Sequence, residues 1–149
     1  MRILLQRVSS ANVTVDGAVT GAIDSGLLIL VGITHTDTDA VIDRMAGKLV
    51  KLRIFSDDNG LMNKSVIDVS GNILAVSQFT LYANAKGGNR PSYTAAARPE
   101  QAAPAFDRFV AALASRLGKP VPAGVFGADM KVALVNDGPV TIWLDSETL

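Results

Sequence analysis

The chain is 149 residues long, 48% hydrophobic and 19% charged, with fourteen basic residues balanced by fourteen acidic ones. That length and apolar content suit one domain over residues 1–149, and they exclude long disorder and wholesale polyanion binding. Cysteine is absent and His35 is the lone histidine, which removes disulfides, thiolate nucleophiles, Cys- or His-rich metal sites and paired-histidine chemistry. No apolar run approaches the roughly 20 residues of a membrane-spanning helix. Gln6 and Arg7 interrupt any signal-peptide core, so a cytosolic protein without membrane association is expected.

The first 33 residues read as strands. Arg2 to Val8 alternates loosely, and Ala11, Val13 and Val15 then alternate with Asn12, Thr14 and Asp16, the period of a half-buried strand. Asp16-Gly17 predicts a tight turn into a partner strand near Ala18 to Ile23. After Ser25-Gly26, the continuously apolar Leu27 to Val31 suits a strand covered on both faces. Thr36 to Asp39 supplies capping side chains and negative charge for a first helix, whose buried stripe is Ile42, Met45, Ala46, Leu49 and Val50. Leu52 to Phe55 reads as a strand, Asp57 to Gly60 as a turn, and Ile73 to Phe79 as a further strand.

Ala83 to Arg98 is the longest loop expected, with Gly87-Gly88 and Pro91 in it. A second helix is predicted over Pro99 to Leu117, its start disturbed by Pro104 and its end set by Gly118. Lys131 to Val135 and Val140 to Leu144 read as two closing strands separated by Asn136-Asp137-Gly138-Pro139. Many strands with two helices and no regular βαβ alternation predict an α+β fold, a compact barrel-like arrangement with a mostly antiparallel or mixed sheet.

Four features stand out as carriers of chemistry. His35, beside Thr36 and Asp37, reads as a polar loop residue, since nothing places a nucleophile beside it. Ser77-Gln78-Phe79-Thr80-Leu81-Tyr82 ends a strand with hydroxyls and an amide, which suits either an oxyanion or ribose contact or an ordinary polar strand face. Lys86 to Arg98 holds three basic residues and no acid, as a phosphate-and-base-binding loop or a plain solvated loop would. Lys48, Lys51, Arg53 and Lys64 would extend such a patch if the fold gathers them. Asn136 to Thr141 reads as a turn between strands.

Two of these segments, Ser77-Gln78-Phe79-Thr80-Leu81 and Asn136-Asp137-Gly138-Pro139-Val140-Thr141, resemble the signature motifs of the D-aminoacyl-tRNA deacylase family. The resemblance extends to Arg7-Val8 with the Ala11 to Val15 strand, to Arg90-Pro91-Ser92-Tyr93, and to Phe126-Gly127-Ala128-Asp129-Met130. It implies a homodimeric cytoplasmic hydrolase with no metal or organic cofactor. Such an enzyme cleaves the ester between a D-amino acid, or glycine, and the 3′-terminal adenosine of tRNA, and rejects L-aminoacyl-tRNA. It also implies that Ser77, Gln78, Phe79 and Thr80 surround the scissile carbonyl and that Phe126 and Met130 surround the adenine. Gly138-Pro139, with a cis bond and Arg7 helping to hold it, would enter the partner subunit's pocket. Tyr93 stands where the family commonly has Phe, and Pro104 interrupts the second helix; neither falls on those positions. A non-catalytic RNA-binding dimer is the alternative. With no activated nucleophile evident, positioning, backbone N–H donors and the substrate's own 2′-hydroxyl are the expected catalytic means.

Overall fold

The computed structural model describes all of residues 1–149. Arg2–Val15 forms one unbroken strand, β1. It is the axis of a five-stranded mixed sheet. One edge of β1 pairs antiparallel with β3 (Gly26–Gly32) over its first half and with β2 (Ala18–Ile23) over its second. A single strand thus turns along two partners, with a register shift at Val13/Thr14 taking up part of the bend. The Asp16-Gly17 turn is where the dipeptide predicts it, with both residues at positive φ.

Helix α1 (Asp39–Val50) starts at Thr38, whose hydroxyl accepts from the Val41 amide, and presents its predicted apolar stripe inward. Leu52 to Phe55 is mostly not a strand: only Phe55–Ser56 (β4) pairs, and its partner is Met62–Lys64 (β5). Asn72–Ser77 (β6) lies parallel to β3, which explains the apolar run Ile73 to Val76, covered on both faces.

Helix α2 (Pro99–Leu117) runs through Pro104 without interruption. Pro104 lies on the exposed face, so the Glu100 carbonyl that loses its amide donor there faces water instead. Gly118 closes the helix in the left-handed conformation, its amide donating to Ala114. Phe106, Phe109 and Leu113 of α2 and Ile42, Met45 and Leu49 of α1 share one core of 25 buried residues with the inner faces of β1, β3 and β6.

The last strand, β7 (Lys131–Asp145), also corrects the expected pair of strands, being one continuous element against the outer edge of β1. Asn136 to Pro139 is therefore not a hairpin connection, because residues on both sides of it pair with the same strand. Only β1 pairs with β7, so its other edge is open along fifteen residues.

Candidate active site

Ser77 is the last ladder residue of β6, opposite Val31, because its partner strand β3 ends at Gly32. The strand expected to run on through Phe79 therefore stops at Ser77. The Gln78 amide donates to the Val31 carbonyl at 2.8 Å, and Phe79–Tyr82 winds into a 3-10 turn. Within the turn, Leu81 donates to the Gln78 carbonyl and Ala83 to that of Thr80. The first amides of any such turn have no partner inside it; here these are the Phe79 and Thr80 N–H groups. Gly32 provides the seat: a Cβ there would stand 3.2 Å from Gln78 O, Leu81 Cβ and Tyr82 Cδ2 alike.

The turn borders an apolar cavity of about 530 Å³. Ser77, Gln78, Phe79, Phe126 and Met130 all line it, whereas Thr80, the next residue of the turn, does not. Tyr93 stands at the mouth, its ring edge-on to Phe79 at 5.1 Å between centroids, and Phe79 is 56% exposed. Arg98 and the start of α2 complete the rim. Sequence reading missed Arg98 as a cavity residue, since its only signal was membership of the acid-free loop.

The Gln78 amide Nε2 donates to the Thr80 hydroxyl at 2.5 Å. An amide nitrogen has no free lone pair to take a proton, so this contact orients Thr80 without making it a nucleophile. His35 lies elsewhere, its Nε2 3.0 Å from the Thr94 carbonyl and its own carbonyl accepting from Gln101. No three His, Cys, Asp or Glu side chains stand close enough together to hold a metal ion. We expect Thr80→Ala to keep activity within about tenfold, against the ~10⁶ lost with a true nucleophile. An acyl group trapped on Thr80, in a quenched reaction read by mass spectrometry, would reverse this assignment.

The second motif is built as a bulge. Gln6 pairs with Thr141 and Val8 with Asn136, so Asp137 to Val140 loops out opposite Arg7. The Asn136 side chain spans the loop, accepting from the Val140 amide and donating to the Thr141 hydroxyl, both at 3.0 Å. Arg7, 13% exposed, donates from Nε to the Asp137 carbonyl at 2.9 Å and from Nη1 to the Ile54 carbonyl at 2.6 Å. The bulge is thereby pinned, yet Gly138 and Pro139 at its tip are exposed, with a cis bond between them and Gly138 at φ +140°. Neither they nor Arg7 line the cavity of their own chain. The structure thus brings Ser77, Gln78 and Phe79 together with Phe126 and Met130, and leaves Thr80, Arg7, Gly138 and Pro139 outside that cavity's lining.

The chain is a small α+β domain with an apolar cavity bordered by a turn whose first amides have no partner within it. Its kind follows from its relatives. The family model described as D-Tyr-tRNA(Tyr) deacylase matches residues 4–145. A D-aminoacyl-tRNA deacylase of Chromobacterium violaceum is 62% identical over 98% of this chain and 97% of its own length. One of Dechloromonas aromatica is 56% identical over 99% and 98%. A solved structure titled c-Myc DNA Unwinding Element Binding Protein superposes with a TM-score of 0.91 at 40% identity, covering 97% of this chain and 98% of that one. A second, titled as a probable eukaryotic D-amino acid tRNA deacylase, shares the fold at TM-score 0.82 and 18% identity, over 96% and 97%. The chain belongs to the D-Tyr-tRNA(Tyr) deacylase family, whose members are hydrolases.

Proposed function

We propose that this protein hydrolyses the ester joining a D-amino acid, or glycine, to the 3′-terminal adenosine of tRNA, and that it rejects L-aminoacyl-tRNA. The observation that carries this reading is one cavity with two different walls. Phe126 and Met130 offer apolar surface for a flat base, and the unpaired amides at the start of the turn, that of the lining residue Phe79 and that of its neighbour Thr80, suit a developing oxyanion. Water adds to the ester carbonyl and the bond to the ribose 3′-oxygen breaks. The neighbouring 2′-hydroxyl relays a proton from the water to the departing oxygen, so no protein base is needed.

In this reading Gly138 and Pro139 act on the other subunit of a homodimer. Two features support that arrangement: the open edge of β7, a strand that also exposes Val135 and Trp143, and the exposed bulge tip, which takes no part in its own chain's cavity. Rejection of an L-enantiomer requires a wall at the Cα substituent, because both enantiomers carry the same groups. A rigid backbone edge meets that need better than a side chain able to change rotamer. The site of action is the cytoplasm, where charged tRNA is found.

Incubating the protein with matched D- and L-aminoacyl-tRNA and following amino-acid release tests the reading. Selective release from the D-substrate is expected. Binding of tRNA without release would favour the non-catalytic RNA-binding dimer, which the acid-free Lys86 to Arg98 loop also suits. Lys86 and Arg90 are exposed and free of ion pairs, and the loop delivers Tyr93 to the cavity mouth. Neutralising both residues should weaken tRNA binding and flatten its logarithmic salt dependence by roughly 1.4, about 0.7 for each phosphate left without its cation. An unchanged slope would make this a plain solvated loop.

A further inference from the structure

The 3-10 turn that carries the Phe79 and Thr80 amides is short, and turns of this kind are weakly held by their own hydrogen bonds. An oxyanion site needs its donors fixed before the reaction, since a misplacement of about 1 Å can cost 10²-fold in rate. What fixes this turn comes from elsewhere in the fold. Its underside rests on Gly32, and its last two residues are gripped by a side chain from the start of β1.

That side chain is Arg2. Its Nη1 donates to the Leu81 carbonyl at 3.1 Å, and its Nε donates to Asp145 Oδ2 at 3.0 Å. The guanidinium plane also lies over the Tyr82 ring, 4.4 Å from the centroid, with Trp143 on another side at 5.7 Å. Tyr82 is 6% exposed, and Arg2 keeps about a third of its side chain in contact with solvent. One guanidinium therefore ties the end of the turn to β1, through its own strand, and to β7, through Asp145 and Trp143. Lysine offers a single compact ammonium and cannot meet a carbonyl, a carboxylate and a ring face together.

The charges around this contact agree with it. Burial works against ionisation of Asp145, yet the Glu147 amide and the Arg2 guanidinium outweigh it and hold the carboxyl below the usual carboxylate range. Burial, with the nearby Asp37 and Asp145 charges, pushes the Tyr82 phenol up, so a neutral ring faces Arg2.

We infer that Arg2 is a positioning residue for hydrolysis: by clamping Leu81 and Tyr82 it fixes the Phe79 and Thr80 amides at the geometry the ester carbonyl requires. Arg2 touches no residue that lines the cavity by these contacts, and it acts through the turn alone. The assignment rests on the deacylase reading, so the wild-type rate is measured first. No release from D-aminoacyl-tRNA by the wild type overturns that reading, whereas a wild type that cleaves isolates the question of Arg2.

The test compares wild type, Arg2→Lys, Tyr82→Phe, Tyr82→Leu and the double variant Arg2→Lys/Tyr82→Leu in steady-state deacylation. Trp143, the only tryptophan, reports folding by its emission, and thermal unfolding gives the folded fraction at the assay temperature. Arg2→Lys should stay folded and lose roughly 10- to 100-fold in kcat with KM little changed. Tyr82→Phe, which keeps the ring face, should remain near wild type. Tyr82→Leu should resemble Arg2→Lys, and the double variant should be scarcely worse than either single one, as expected of two parts of one clamp. Arg2→Lys with wild-type kcat overturns the inference. So does a fall in kcat no larger than the loss of folded protein, or a rise in KM at constant kcat.

Discussion

A D-aminoacyl-tRNA ending in 2′-deoxyadenosine should be cleaved about 10²–10⁴-fold more slowly than its ribose counterpart, the span that a positioned proton relay contributes. The expectation follows from what surrounds the turn. Ser77, Gln78, Phe79 and Thr80 include no group that takes a proton near neutrality, and Thr80 accepts a hydrogen bond from an amide that cannot act as a base. The single histidine is engaged at Thr94. Amide donors stabilise charge on the carbonyl oxygen and do nothing for the proton that must reach the leaving 3′-oxygen. The substrate's 2′-hydroxyl is the nearest group able to carry it. Equal single-turnover rates for the two substrates would instead require a proton carrier from the protein.

How much of this was legible in the sequence depended on the range of the interactions concerned. Local signals held: the Asp16-Gly17 turn, the Thr38 region as the start of α1, the stripe Phe106, Phe109, Leu113, and Gly118 as a C-terminal cap all depend on neighbours within a few residues. Pairing was harder. Asn136 to Pro139 carries the composition of a hairpin turn, and only the partner strand reveals that it bulges out of one long strand opposite Arg7. Ser77 to Tyr82 alternates as a strand would, but a strand needs a ladder partner, and β3 runs out at Gly32. The candidate site suffered in the same way. Ser77 to Thr80, Phe126 and Met130 were visible as a motif resemblance, while Arg98 at the rim and Arg2 behind the turn have no signal in spacing. Leu81 and Asp145, the partners of Arg2, lie dozens of residues away, and a lone arginine near a strand's start looks like any solvated charge.

Gly138→Ala should abolish most D-aminoacyl-tRNA hydrolysis, by ~10² or more, while leaving the chain folded. Gly138 sits at φ +140°, a conformation that side-chain-bearing residues avoid. An added Cβ would stand 2.9 Å from Arg7 Nη2 and 3.0 Å from Val140 Cγ2. Arg7 is the side chain that pins the bulge to Ile54, so relief of that contact shifts either the guanidinium or the bulge tip. Both outcomes displace the backbone edge proposed to face the partner's substrate, whereas the core, built on other residues, is untouched. Strain alone is separated by Gly17→Ala, a second glycine at positive φ (+79°) with open space around it. That variant should lose about 1 kcal/mol of stability and keep its activity. If Gly138→Ala behaves like Gly17→Ala, destabilised but fully active and still D-selective, the bulge is a structural irregularity of β7 and the wall against L-substrates lies elsewhere. If it loses hydrolysis while its unfolding midpoint matches that of Gly17→Ala, the loss belongs to the shape of the tip and not to the cost of bending the chain there.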